Sequence, residues 1–484
     1  MSHHKPDPSK NINLTINGIP VTVPEGTRIL EAARKVDVRI PTLCEHPDLC
    51  KRAHCRLCVV ECDGRGKLIA ACANDVWEGV NVVTHNARLL SIRKMIIELL
   101  LANHPLECLT CIRNKNCELQ SLAAEVGIRE SPFRHDAMDL RQPVTESKTL
   151  VRDMKKCVKC SRCVEACQEV QTIRNINTSH RGAHYEISAP YGQSLADGPC
   201  VFCGQCAAVC PVGAIYEYDQ SAEAWAALND KERHVAAQFS PSLSAAFDDA
   251  LGLDAGTVTP GRMVTALKRL GFDQVFDAQF FADAATAEEH NELLNRTGGG
   301  TTPRLPMITG CSSGCIKFIE DSYPDLANRL GQCKNTTQTF STLIKTTNPQ
   351  TTAISICGCI AQKFSYRPEP DSGLVLTVNE LARIFTLGGI NFAGLPETPF
   401  DAFTGAVSKA AANSAEPKDV QPGIQEAEIV IQGKRVKTLT AHGFASARVI
   451  MDSIRKGECD AALVKIMSCP RTDDKSCGKN GRRS

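Results

Sequence analysis

The chain carries 25 cysteines, 17 of them before residue 211, and fifteen of those 17 fall into four groups with the spacing of metal ligands. Cys44, Cys55, Cys58 and Cys72 follow C-x10-C-x2-C-x13-C. A Cys-x2-Cys pair on a tight loop presents two thiolates to one centre, and the flanking cysteines close its other side. Four soft thiolates suit an iron–sulfur cluster or zinc. The strand–strand–helix pattern ahead of the group points to 2Fe-2S, with zinc as the alternative. Cys50 and Cys62 fall outside the pattern and are read as non-ligands. His104, Cys108, Cys111 and Cys117 come next, as H-x3-C-x2-C-x5-C. Alone this could equally be a zinc Cys3His site, but its position between two iron–sulfur patterns favours 4Fe-4S. The run CxxCxxCxxxC then occurs twice, at Cys157, Cys160, Cys163, Cys167 and at Cys200, Cys203, Cys206, Cys210 before Pro211. In two-cluster ferredoxins the fourth cysteine of each run ligates the other cluster. Cys157, Cys160, Cys163 and Cys210 are therefore expected to hold one cubane, and Cys200, Cys203, Cys206 and Cys167 the other. One 2Fe-2S and three 4Fe-4S clusters make a chain of one-electron carriers.

Several elements must position these groups. Residues 11–23 alternate apolar and polar around Asn17-Gly18, a hairpin signal, and RILEAARKV follows as an amphipathic helix capped by Thr27. This is a β-grasp order. A helix is expected at about Ala87–Asn103, with Leu89, Leu90, Ile92, Ile96 and Leu99 on its buried side. Further on, short apolar runs (DQVFDA, TAISI, AALVKI) alternate with helical patterns at Met263–Leu270, Ala287–Arg296 and Ala445–Lys456. That alternation predicts a sheet layered with helices, and residues 407–424 look like a polar linker. The fold class is multidomain α/β and α+β. Four domains are expected: a β-grasp 2Fe-2S domain at 11–85, a His/Cys3 4Fe-4S segment at 86–145, a two-cluster ferredoxin domain at 146–222, and an α/β domain at 223–484. Lys plus Arg (55) nearly balance Asp plus Glu (54), which argues against a nucleic-acid partner. The most apolar stretch, about Met95–Ala102, is far short of the roughly 20 residues of a membrane span. Met1–Lys10 lacks an apolar core, so the expected location is the cytoplasm.

In this order the modules resemble the N-terminal part of complex I's large iron–sulfur subunit and, equally, the accessory domain of FeFe-hydrogenases. The second half separates the two. MITGCSSGCIKF from residue 307, SICGCIAQKF at 355–364 and KIMSCP at 465–470 resemble the three signature loops of the FeFe-hydrogenase catalytic domain. The resemblance implies a fold in which these loops converge on a cubane joined to a di-iron unit carrying CO and cyanide. This chain departs from the pattern at several of the required positions. Cys311 keeps the family's proton-donating cysteine, but the adjacent cubane-ligand position is Ser312, a harder and far less acidic ligand. Cys359 and Cys469 match ligand positions. The cyanide-contacting lysine is Gln362, the Met-Pro of the second loop is Cys357-Gly358, and the last cysteine position is Asp473, with Cys477 four residues on. The Thr-Gly-Gly segment is reduced to about Thr404–Ser414, and the glycine-rich stretch to Gly478–Gly481. Glu289 and Glu292 match the family's proton path, but its serine is Gly331. No di-iron cofactor and no catalytic residue is expected.

Cys311, Cys315, Cys357, Cys359, Cys469 and Cys477 nevertheless crowd onto the three loops. The expected content is an additional 4Fe-4S cluster on Cys359, Cys469, Cys477 and one of Cys311 or Cys315, with Cys311 preferred. Cys333 and Cys459 are read as structural. By resemblance, the chain is an iron–sulfur electron-transfer subunit. Its implied partners are an NAD(P)H-oxidising flavoprotein iron–sulfur subunit, a thioredoxin-like 2Fe-2S subunit, and a formate dehydrogenase, hydrogenase or ferredoxin. The alternatives are an active divergent FeFe-hydrogenase and a redox sensor or scaffold.

Overall fold

The computed structural model describes residues 7, 9–50, 52–63, 68–130, 132–133, 142–297, 305–366, 373–405, 413–414, 416–431 and 433–470. Asn11–Ile16 and Ile19–Pro24 pair antiparallel, with Asn17 and Gly18 both at positive φ in the turn, as an Asn-Gly hairpin requires. Alternation buries Ile12, Leu14 and Ile16, and Asn81–Val83 lies parallel beside them. Val59–Cys62 and Ile69–Ala70 complete the five-stranded sheet. The helix Ile29–Lys35 closes this core, but Thr27 is not its cap. The Thr27 hydroxyl donates to the Pro24 carbonyl (2.6 Å), and Arg28 takes the cap position, its N–H directed at Glu31 (3.4 Å).

The helix Ala87–Ala102 buries only part of the side its apolar residues predict: Leu89 is buried and Ile96 packs against the core. Leu90 and Leu99 are 52% and 49% exposed, whereas Leu89, Arg93 and Ile97 point inward. Arg93 explains the difference. Its guanidinium donates to the carbonyls of Leu57 (3.1 Å) and Val59 (2.8 Å), so a charged residue occupies the inner stripe and ties the helix to the Cys55–Cys58 turn. A three-stranded antiparallel sheet (Ile215–Glu217, Leu150–Arg152, Val144–Glu146) then flanks the two cysteine runs. A shared core that includes Leu43, Ile97, Leu119, Leu150, Phe202 and Phe364 packs these modules as neighbours.

Among the described residues, the second half contains two sheets. One is parallel throughout, in the order Gln274–Asp277, His234–Phe239, Thr351–Cys357, Leu374–Thr377. In the other, Met307–Gly310, Leu463–Met467 and Lys434–His442 run parallel, and Ile424–Ile431 returns antiparallel. The region expected to be a linker instead carries Asn413–Ser414 and Lys418–Gln421, both paired to Ile424–Ile431; residues 406–412 and 415 lie outside the described residues. Lys418–Gln421 is exposed along its whole length, so it shows none of the alternation by which a strand is recognised. The helix expected at Ala287–Arg296 extends over Ala278–Thr297, its early turns burying Phe281 and Ala284. Among the described residues no helix is long and apolar enough to cross a membrane.

A buried ion pair of the second half anchors the end of the ferredoxin module. Lys363 and Glu380 are both fully buried and 2.6 Å apart. Lys363 also donates to the Tyr218 carbonyl, and Glu380 accepts from the N–H groups of Gln220 and Thr377, each at 2.7 Å. A buried pair is favourable only when its remaining hydrogen-bond capacity is met in this way. Glu380→Ala removes the carboxylate in direct contact with the buried Lys363 ammonium, and we expect a loss of about 3–5 kcal/mol. Trp225 packs against the core of this domain. A lowered urea midpoint of its fluorescence in a Trp77→Phe background would show the loss, and an unchanged midpoint would contradict it.

Candidate metal centres

The first four predicted cysteines meet on one loop system. The Cys55 N–H points at the Cys44 sulfur (3.4 Å), and the Cys58 and Cys72 sulfurs are 3.2 Å apart. Hydrogen bonds from the Cys55 and Cys72 thiols pull the Cys44 pKa well below its ordinary value, while those two partners are pushed up. Four thiols that share protons this way form one site for a cation to replace those protons. Cys50 is exposed, and Cys62 lies in the module's core.

His104, Cys108, Cys111 and Cys117 line one small cavity together with Lys156 and Gly213. Burial pushes the His104 pKa down to about 4, which keeps its imidazole neutral, the form that can ligate. Its Nδ1 is buried with no hydrogen-bond partner. A Cβ on Gly213 would stand 2.9 Å from the Cys111 sulfur, so only glycine leaves that wall open. An orphaned nitrogen on a cavity also lined by three thiols fits a bound metal centre.

The two ferredoxin runs are interleaved in space. Cys157, Cys160, Cys163 and Cys210 line one cavity with Pro211. Burial pushes the Cys160 thiol up to about 12, and the charges of Cys210 and Cys157 add to that rise. Cys203 is raised by burial and then by Cys200 and Cys167, and Cys206 by burial and then by Cys203, Cys200 and Cys167. Each run thus sends its fourth cysteine to the other group. Among the described residues, no group of three or more ligating side chains is placed to hold a single ion.

In the second half, the loops that leave the carboxyl ends of the parallel strands Met307–Gly310, Thr351–Cys357 and Leu463–Met467 carry Cys311, Cys359 and Cys469, the usual location of a site in an α/β sheet. The Cys359 and Cys469 sulfurs are 3.8 Å apart. The Cys311 sulfur accepts from the Ser468 N–H (3.3 Å) and contacts its hydroxyl (3.4 Å). The Cys315 thiol hydrogen-bonds to the Cys311 sulfur, which pulls the Cys311 pKa down to about 7, and it also lies 3.4 Å from the Ile466 carbonyl, with the buried Ser312 hydroxyl 3.8 Å from its sulfur. Gln362, at the lysine position, donates to the Cys311 carbonyl (2.7 Å). Cys357 is pushed up to about 12 by burial. Cys477, Asp473 and Gly478–Gly481 lie outside the described residues, as does most of Thr404–Ser414.

Glu289 and Glu292 are both engaged by neighbouring side chains. Glu289 is buried, accepts from the Thr309 hydroxyl (2.7 Å) and pairs with Lys465, while Glu292 pairs with Arg296. A Cβ at Gly331 would lie 3.5 Å from the Glu292 carboxylate and 3.3 Å from the Cys333 sulfur, so Gly331 does stand beside these groups. Cys333 is pushed up to about 12, first by burial and then by Glu289 and Glu292. Cys459 packs at the edge of a neighbouring core.

The joint between the ferredoxin module and the second half was not visible in cysteine spacing. Gln171, fully buried, donates to the Ser468 carbonyl (2.9 Å) and accepts from the Phe444 N–H (3.0 Å). Lys317 donates to the Gly198 carbonyl (2.9 Å). A Cβ on Gly314 would meet the Val201 carbonyl oxygen at 2.1 Å, so the loop starting at Cys200 rests directly on the first turn of the helix Ser313–Ser322. A separate cavity of about 550 Å³, bordered by Arg113, Glu217, Gly358, Asn379 and Arg383, holds none of the predicted ligands.

Residues 233–472 match the family described as the iron-only hydrogenase large subunit, C-terminal domain. Residues 9–87 match a 2Fe-2S iron–sulfur cluster binding domain, 93–132 the NADH-ubiquinone oxidoreductase-G iron–sulfur binding region, and 147–216 the ferredoxin-like domain of NADH-quinone oxidoreductase subunit 3. The chain is 36% identical to the NADP-reducing hydrogenase subunit HndD of Solidesulfovibrio fructosivorans, over 95% of this chain and 87% of that one. It is 30% identical to iron hydrogenase 1 of Clostridium pasteurianum, over 94% and 86%. A stretch of it is 34% identical to the NADPH-Fe(3+) oxidoreductase subunit alpha of Geobacter sulfurreducens, over 42% of this chain and 24% of that one.

The surroundings of His104 lead to a direct test. An anionic thiolate in place of a neutral imidazole stabilises the oxidised state of a cluster. We therefore expect His104→Cys to retain a 4Fe-4S signal with a lower midpoint potential, read by electron paramagnetic resonance during redox titration. An unmoved set of midpoints would reject His104 as a ligand.

Proposed function

The chain belongs to the family of iron-only hydrogenase large subunits, and we propose that within it the protein relays electrons and has lost the hydrogen chemistry. When bound, iron–sulfur clusters supply one-electron carriers. In this proposal Cys44, Cys55, Cys58 and Cys72 hold the 2Fe-2S cluster, and His104, Cys108, Cys111 and Cys117 hold the first cubane. The two interleaved ferredoxin groups hold the next two. Cys311, Cys359, Cys469 and Cys477 hold a fifth cluster on the converging loops.

The observation that carries the proposal is the state of the family's cofactor pocket. At the cubane-ligand position, the Ser312 hydroxyl faces Cys315 and offers oxygen where iron needs thiolate. At the cyanide-contacting position, the neutral Gln362 is already hydrogen-bonded to the Cys311 carbonyl. Glu289 and Glu292 are each held by a cation, and anions so held are poor proton carriers. These residues do not fit a di-iron unit with CO and cyanide ligands. Electrons would enter from an NAD(P)H-oxidising flavoprotein subunit, directly or through a thioredoxin-like 2Fe-2S subunit, and leave to a formate dehydrogenase, hydrogenase or ferredoxin. The second reading, an active divergent hydrogenase, is favoured by the retained Cys311 and by a 36%-identical relative that is named as a hydrogenase subunit.

Infrared spectroscopy and iron analysis separate the two. Co-expressed with the hydrogenase maturation proteins, the intact protein should show no CO or cyanide bands and contain about 18 iron atoms, the sum for one 2Fe-2S and four 4Fe-4S clusters. Cys359→Ala should remove about four of them. CO and cyanide bands would restore the hydrogenase reading. A Cys359→Ala protein with unchanged iron would mean that these loops bind no cluster.

A further inference from the structure

Arg162 lies inside the first ferredoxin run, between Cys160 and Cys163, yet it makes no contact typical of a surface arginine. Ser161, at φ 64°, turns the chain so that Arg162 opens the short helix Arg162–Glu165. Its side chain is only 5% exposed. From there the guanidinium reaches both other N-terminal modules. Nη1 and Nη2 grip the Glu118 carboxylate in a two-point fork (2.6 and 2.8 Å), one residue beyond Cys117. Nη2 also donates to the carbonyl of Glu45 (2.8 Å), one residue beyond Cys44. Nη1 reaches the carbonyl of Val209 (3.5 Å), which precedes Cys210. One cation thus touches the neighbours of a ligand from three of the four cysteine groups. Its Nε is buried and has no partner.

We propose that Arg162 is the electrostatic junction of the electron path, a positioning residue that fixes three cluster loops against one another and sets the potentials of the centres it faces. The proposal rests on the cluster assignments above. Arginine keeps its charge under all ordinary conditions, and its planar fork fixes orientation in a way lysine cannot. Each electron that enters a cluster adds negative charge, and in a buried, weakly screened environment a fixed cation favours the reduced form. The surrounding charges are arranged to hold the joint around it. Arg34 pairs with Glu45 (2.9 Å), Arg52 with Glu165 (2.6 Å) and Arg39 with Glu125 (2.7 Å). Arg39 and Arg52 bind across the same module boundaries. Their side chains are half exposed or more, so water screens them. Arg162 alone among these four is sealed from solvent.

The test uses three variants of the intact protein, each followed by iron analysis and a redox titration read by electron paramagnetic resonance. Arg162→Gln removes the charge, and the midpoints of the 2Fe-2S centre and of the cubanes nearest it should fall. Arg162→Lys keeps the charge and loses the fork, so the midpoints should stay close to the original while the thermal midpoint drops. Glu118→Gln removes the opposing anion from a half-exposed site, and the same midpoints should rise. A purely structural role would lower stability in all three without this opposite pair of shifts. Unmoved midpoints in Arg162→Gln with iron retained would overturn the proposal. If Arg162→Gln fails to retain iron, the sign of the Glu118→Gln shift decides, and no rise overturns it. Iron far below about 14 atoms in the unaltered protein would instead overturn the cluster assignments beneath it.

Discussion

Crowded thiols are unfavourable inside a protein, and most of the first half of this structure is arranged around that fact. Burial raises the thiol pKa, and each neighbouring thiolate raises it further, as at Cys160, Cys203 and Cys206. As thiolates, four such groups need a cationic centre to take up their charge, which couples metal binding to folding. The modules around these sites are small, with short strands and helices of four residues beside the ferredoxin runs. Their apolar core is shared with neighbouring modules, and buried arginines help to join them. Arg93 and Arg162 both serve this role, directing guanidinium donors at backbone carbonyls next to cysteines.

Spacing made the first half legible because ligands on one loop must follow one another at fixed intervals. Even the interleaving of the ferredoxin runs could be read from sequence, since the pattern CxxCxxCxxxC has a known crossed geometry. What spacing could not reveal were the contacts between loops distant in the chain. Gln171 bonding at Ser468, Lys363 paired with Glu380, and Arg162 bridging Glu45 and Glu118 join residues that nothing in the sequence links. The buried face of the helix Ala87–Ala102 was partly misread, for a related reason. Apolar counting assumes that charge faces water, and Arg93 does not. The exposed strand Lys418–Gln421 was missed because an edge strand covered on neither face needs no alternation.

In the proposed reading, the second half retains the placement of the family's loops without its di-iron chemistry. Three loops still meet at the carboxyl ends of parallel strands, and Cys359 still approaches Cys469. That arrangement follows from the sheets, whose registers are set by buried residues such as Ile354, Ile308 and Val464. Substitutions on the loops leave those registers alone. A site can therefore lose ligands one at a time while the scaffold continues to hold what remains.

The contact between the halves bears on why such a scaffold would persist. Val201 sits so close to Gly314 that no side chain fits there, Lys317 is anchored on Gly198, and Gln171 reaches the residue beside Cys469. A domain kept only as ballast would tolerate a loose, solvated joint. This one excludes side chains and satisfies a fully buried glutamine from both ends, which holds the Cys200 loop and the converging cysteine loops at a fixed separation. Electron transfer demands such fixed separation, whereas docking or simple stabilisation could be met by any well-packed surface. The tightness of the joint is thus a stronger argument for a path that continues into the second half than the cysteine count alone.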